Sequence, residues 1–189
     1  MPPSDPVKRQ SGETRQQLLS VAGETICNKG LAGITLEGVA KAAGVSKGGL
    51  LHHFPSKQHL IDAVIVDLHE RFLEEMRELA KEDPVSTGRR VRAYLKVATR
   101  ERDEQTNKLC SILAIEARDN PTLRNQWRDM ISSLLRSGAD EENTETDPIT
   151  LAVVQLATDG LWLAELEGVF DNAPDLYTKI VERLEQMTR

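Results

Sequence analysis

Between Thr35 and Lys57 the chain reads TLEGVAKAAGVSKGGLLHHFPSK. Its reactive side chains include hydroxyls, ammonium groups and imidazoles, with no nucleophile–base pairing. Thr35 and Ser46 stand where helix N-caps belong, and Thr35 in that position presents a hydroxyl and backbone N–H groups to an anion. Lys47 falls in the first turn after Ser46 and Lys57 opens the next helix, both suited to phosphate. His52 projects between them and could donate to phosphate or to guanine acceptors; His53 lies partly on the inner flank. Gly48 and Gly49 each cost a helix interior about 1 kcal/mol relative to alanine. Either their missing side chains let a backbone approach a groove closely, or packing merely tolerates them. Leu51 can meet a thymine methyl or a sugar face. The chemistry on offer is the holding of phosphates and the reading of base edges.

Two short helices and a turn would position these groups. Leu36, Val39, Ala40 and Ala43 keep helical spacing, Gly44 can take the left-handed conformation that ends a helix, and Val45 fills the space beneath. Ser46 then opens about two turns of helix with Leu50 and Phe54 on the back face. This is a helix-turn-helix, whose second helix can enter a major groove. A helix from about Gly12 to Lys29 precedes it, with Leu18, Leu19, Ala22 and Ile26 inward and Gly30 as its stop. Residues 1–11, with Pro2, Pro3, Pro6, Lys8 and Arg9, read as a disordered arm, either frayed or touching DNA.

Gly30, Thr35, Val39-Ala40, Ala43-Gly44-Val45-Ser46-Lys47, Leu50, His52, Phe54 and Ser56-Lys57 together resemble the DNA-binding domain of the TetR family of transcriptional regulators. The resemblance covers roughly residues 12–60 and implies a dimeric protein binding double-stranded operator DNA, with a small-molecule inducer. The residues and the resemblance together give an expected DNA surface of Thr35, Ser46, Lys47, Gly48, Gly49, Leu51, His52 and Lys57, the analogy being weakest at Gly48, Gly49 and Leu51. Many members carry a phosphate-contacting tyrosine where this chain has Leu51. Base readout here would therefore rest on few side chains and partly on DNA shape.

The 189 residues are 4% aromatic, modest in Gly and Pro, and rich in Leu, Ala, Glu and Arg, which predicts an all-α protein. The formal net charge of −6 is unevenly placed. Residues 1–60 hold seven Lys and Arg against four Asp and Glu, and residues 61–189 hold 17 against 26. A basic head on an acidic body orients the head towards phosphate. Cys27 and Cys110 form neither a disulfide framework nor a metal pattern. His52, His53 and His59 lack the cysteine or spaced carboxylate that would complete a zinc set. No cofactor fingerprint or catalytic constellation is visible, so neither an enzyme nor a cofactor is expected. No signal peptide is visible and no apolar run approaches membrane-spanning length, so the expected location is cytoplasmic, away from any membrane.

Beyond the head, a helix from Ser56 to about Glu82 carries Leu60, Val64, Leu68, Phe72, Met76 and Leu79 as an apolar stripe. At about 1.5 Å per residue it spans roughly 40 Å. Pro84, Pro121, Pro148 and Pro174 divide the rest into helices near 85–103, 107–119, 121–137, 148–170 and 174–188. The acidic run Asp140–Asp147 reads as a solvated loop. The expected architecture is an N-terminal three-helix helix-turn-helix domain (12–58) and a helical ligand-binding and dimerisation domain (59–189), about nine helices in total. Ala157, Gly160, Ala164 and Gly168 form a small-residue stripe flanked by Leu156. With Leu176, Ile180 and Leu184 of the last helix, these are the expected homodimer interface, or else packing within one chain. Cys110, Leu113, Trp127, Met130, Gln155, Asp159 and Trp162 are the ligand-binding candidates. VVQLATDGLWL and NQWRDM are similar to members that sense cationic or drug-like compounds. Tryptophan faces and a buried carboxylate would suit an organic cation; the alternative is core tryptophans with Asp159 exposed or paired.

Overall fold

Leucine- and alanine-rich stretches punctuated by Gly and Pro give eight helices among the residues that a computed structural model of the chain describes, 6–100, 104–116, 121, 124–125, 128–129, 132 and 147–189. In chain order they are α1 (Pro6–Gly33), α2 (Leu36–Ala42), α3 (Lys47–His53), α4 (Lys57–Glu82), α5 (Arg89–Thr99), α6 (Glu104–Glu116), α7 (Pro148–Leu166) and α8 (Pro174–Gln186). The fold is all-α, with the expected helix-turn-helix at its N-terminal end. Most of the helix expected at 121–137 and of the acidic run falls outside the described residues; 121, 124–125, 128–129 and 132 are helical.

Several boundaries differ from expectation, among them α5 at Arg89–Thr99 rather than 85–103, α6 at Glu104–Glu116 rather than 107–119, and the end of α7 at Leu166 rather than 170. Helix α1 begins at Pro6 rather than Gly12, so residues 6–11 of the expected arm are helical; proline's fixed φ suits a first helical position. Gly30 breaks the helix, with φ 67° and ψ 175°, but one more stretch of helical backbone follows it to Gly33.

The chain divides into two units, Met1–His69 with Asp103–Arg124, and Glu70–Arg102 with Asn125–Arg189. Helix α4 contributes residues to both, and α6 belongs with the first, which reaches beyond the expected 12–58. In the first unit Leu18, Ile26, Ile34, Val39, Leu50 and Leu60 are fully buried. The turn between α2 and α3 closes as the sequence requires. Gly44 takes φ 68°, the Val45 N–H donates to the Ala40 carbonyl at 3.0 Å, and Gln17 Nε2 of α1 donates to the Ala43 carbonyl at 3.1 Å. Helix α6 lies against α1, where Leu109 would stand 3.2 Å from a Cβ at Gly23.

The second unit packs α5 against α7 and α8. Val91, Leu95, Leu151, Val154, Leu161 and Leu184 form one buried cluster, and Met76, Ala93, Tyr94 and Val97 another. Between α4 and α5 the buried Arg92 gathers three acceptors. Its Nε donates to Asp83 at 2.7 Å, Nη1 to the Thr188 carbonyl at 2.7 Å and Nη2 to the Val85 carbonyl at 2.5 Å. Gly88, at φ 67°, lets that knot close, since a Cβ there would collide with the Thr188 carbonyl.

One expectation is corrected. The window Ile149–Leu166 of α7 is long and apolar enough, by length and composition, to cross a membrane. Gln155, Asp159 and Gly160 interrupt the run, but its mean hydropathy stays apolar.

A buried charge stripped of its partner is costly, so Arg92→Ala is expected to lower stability by about 3–5 kcal/mol, read as a fall in the urea midpoint. The hydrogen bond from Arg92 holds the Asp83 carboxyl below the usual range. Its contribution is therefore complete above the ordinary aspartate value of about 3.9 and is lost as pH falls through the lower folded value. Asp83→Asn is expected to flatten that acid limb in pH-dependent unfolding.

Candidate functional site

Helices α2 and α3 are each seven residues long, too short to persist in water without support. Their ends are tied down by the two hydroxyls singled out in the sequence. Thr35 Oγ1 accepts from the Gly38 N–H at 3.1 Å and Ser46 Oγ from the Gly49 N–H at 3.0 Å. A hydroxyl that accepts a cap bond still has its own proton to donate. Beneath α3, Leu50 and Phe54 are buried, with the Arg15 guanidinium 5.6 Å from the centre of the Phe54 ring. Outward lie Thr35, Ser46, Lys47, Gly48, Leu51 and His52, all exposed, while Gly49 and Lys57 are half-buried.

The two lysines expected on phosphate both have partners within the chain. Lys47 Nζ donates to Glu37 Oε1 in the first turn of α2, and Lys57 Nζ donates to the Ala32 carbonyl at 3.2 Å. Each ammonium has three protons, so neither bond uses up its donors. Glu37 was missed by sequence reasoning, although opposite charges in the first turns of successive helices were there to see. His52 meets His53 edge-on, with ring centres 5.4 Å apart. Burial, with the His52 and Arg15 charges, lowers the His53 pKa. His59 is engaged at the start of α4, its Nδ1 2.8 Å from Ser56 Oγ.

The two glycines sit in different surroundings. A Cβ there would meet nothing nearer than Ser46 Oγ at 4.0 Å, so packing within the chain does not call for glycine. At Gly49 the same oxygen would stand at 3.3 Å, a tighter fit.

The ligand-binding candidates separate. Cys110 and Leu113 lie on α6 in the first unit, with Leu113 buried. Gln155, Asp159 and Trp162 lie on α7 in the second, and Trp127 and Met130 fall outside the described residues. Asp159 is paired: Tyr94 of α5 donates its hydroxyl proton to Asp159 Oδ1. Phe72 of α4 meets the Tyr94 ring edge-on at 5.5 Å. Burial raises the Asp159 pKa, and the Tyr94 bond opposes that rise. Tyr94 was also missed. With only two tyrosines in the sequence, the search for a proton donor to a buried carboxylate was a short one.

The expected dimer stripe is partly redrawn. Ala157 and Ile180 pack against their own chain's core and Leu184 is buried within it. Gly168 sits in the turn after α7 at φ 70°, and Ala164 is half-buried. Leu156, Gly160 and Leu176 of the expected set do face outward, and Ile149, Val153 and Leu163 join Leu156 and Gly160 on α7 at spacings of four, three, four and three. The small-residue pattern concealed that alternation because it shares only Gly160 with it.

Comparison with known proteins matches residues 18–64 to the model of bacterial regulatory proteins of the tetR family. Residues 88–189 match a tetracyclin repressor-like C-terminal domain. The chain is 26% identical to the HTH-type transcriptional repressor KstR2 of Rhodococcus jostii over 175 residues, 86% of this chain and 83% of that protein. Among solved structures it is similar in fold to Salmonella enterica GusR, with a TM-score of 0.68 at 22% identity, over 93% of this chain and 95% of that one. It is also similar to the multidrug binding protein EbrR complexed with malachite green, with a TM-score of 0.64 at 22% identity, over 93% and 98%.

A carboxylate whose pKa is raised by burial binds its proton more tightly folded than unfolded. Its ionisation therefore lowers stability as pH rises from about 3.9 through the folded value. Asp159→Asn is expected to be more stable than the parent at pH 7.5, with the difference closing at pH 3.5, by thermal unfolding at both.

Proposed function

The chain belongs to the tetR family of bacterial regulatory proteins, and from that premise we propose that it is a dimeric repressor that leaves its operator DNA when an organic cation enters its second unit. The observation that carries the DNA side is the exposed face of α3, capped by Ser46 and bare at Gly48, over buried Leu50 and Phe54. Such a helix presents its backbone to a groove with no side chain at Gly48 holding it away. The hydroxyls of Thr35 and Ser46 retain a proton each for phosphate oxygens, and Leu51 and His52 are the base-reading side chains. Residence in the cytoplasm follows from this reading, since the operator is there.

The dimer rests on the outward residues of α7. Alternate spacings of four and three place Ile149, Val153, Leu156, Gly160 and Leu163 along one seam, the pattern by which two helices pack side by side. Leu176 on α8 extends the apolar surface, and Gly160 would let the backbones approach. A second copy would cover this surface and supply the second head, as reading successive major grooves about 34–36 Å apart requires.

The ligand side rests on Asp159. Its carboxylate accepts from Tyr94, so an entering ammonium group has a neutral donor to displace and aromatic faces to meet. Release of DNA requires that the cation bind one conformer more tightly than the other.

Gly48→Ala separates the two explanations of that glycine. It is expected to stabilise the protein by about 1 kcal/mol while weakening binding to a duplex from its own promoter region by about tenfold. Equal or tighter DNA binding would remove the close-approach argument. Micromolar malachite green, a cationic dye, is expected to release the duplex from the parent but not from Asp159→Ala. Release of both alike would take the ligand away from Asp159.

A further inference from the structure

Glu37 and Lys47 join the first turns of α2 and α3 through one ion pair, with side chains 65% and 58% exposed. They neighbour the caps Thr35 and Ser46. Glu37 therefore brings a full negative charge to the place where a phosphate would find Lys47. The pair is not what holds the two helices, since Val39, Ala40, Leu50 and Phe54 are buried beneath them. An exposed pair of this kind exchanges partners at little cost. Hydrogen bonding to Lys47 keeps the Glu37 carboxyl below its usual pKa, so it stays charged at neutral pH.

We propose that Glu37 is a built-in competitor with DNA phosphate for Lys47, holding down affinity for the nucleic-acid backbone without altering sequence preference. The proposal rests on the DNA-binding reading above. When the complex forms, Lys47 leaves Glu37 for a phosphate, and that phosphate sheds its condensed counterion. The freed carboxylate takes a counterion back from solution, so the exchange adds little to the salt dependence. With glutamine at position 37 nothing is taken back, and Lys47 makes its full contribution of about 0.9 to the slope of log K against log salt.

The experiment compares parent, Glu37→Gln, Glu37→Ala, Lys47→Met and the double variant E37Q/K47M on two duplexes, one from the protein's own promoter region and one of scrambled sequence. Affinities are read from 50 to 300 mM salt. Both Glu37 variants are expected to bind each duplex about three- to tenfold more tightly near 0.1 M salt. Their slope is expected to steepen by about one, and E37Q/K47M should bind no more tightly than K47M. Urea unfolding confirms that each variant is folded, and Glu37→Ala serves should glutamine prove unstable. Unchanged affinity and slope in both Glu37 variants would overturn the proposal while leaving the DNA-binding reading intact. So would a loss confined to the promoter duplex, which would make Glu37 a reader of the cytosine amino group. A parent protein that binds neither duplex would remove the DNA-binding reading and this proposal with it.

Discussion

Helix α3 exists only because Leu50 and Phe54 are buried beneath it. Seven residues with two adjacent glycines cannot hold a helix alone, and the glycines oppose it by about 1 kcal/mol each. Full burial of a large apolar side chain supplies about 1.5–3 kcal/mol, so the two anchors together outweigh that cost. The cap bond from Gly49 to Ser46 and the Gln17 bond to the turn carbonyl then fix where the helix starts. Everything that faces outward depends on this arrangement, because the outward residues contribute little to holding it. Stability is concentrated behind α3, which leaves its front free to be chosen for binding.

The second unit shows another division of labour. Arg92, with three acceptors around it, locks the α4–α5 connection to the end of the chain, and it is a structural charge with no exposed surface to offer. Asp159 is a carboxylate of a different kind. It is half-buried and accepts a hydrogen bond from one tyrosine, and burial raises its pKa. Removing Arg92 takes away structure, whereas Asp159 can exchange its donor. The exposed seam of α7 is a third kind of feature, apolar surface that a single chain leaves uncovered.

Much of the first unit was legible because its signals are local. A cap hydroxyl, a left-handed glycine and an apolar spacing act within a few residues, so Thr35, Gly44, Ser46, Leu50 and Phe54 were placed correctly from sequence. Partners distant in sequence were not legible. Nothing near Lys57 points to the Ala32 carbonyl, and nothing near Asp159 points to Tyr94, 65 residues earlier. Which apolar residues already serve the chain's own core was not legible for a related reason. Leu184 and Ala157 look as suitable for a partner helix as Leu156 does, and only the packing of α5 on α7 and α8 decides which face is already used. The start of α1 was set too late because a proline-rich polar segment was given to disorder when Pro6 could begin a helix.

The central claim is that the face of α3 is the surface that meets DNA. Amide chemical shifts of the protein, titrated with a duplex from its own promoter region, test it directly. The amides of 35–38 and 46–52 are expected to move most, and in step with complex formation. A complex that leaves those amides unmoved while shifting others would contradict the claim, as would the absence of any complex at low salt.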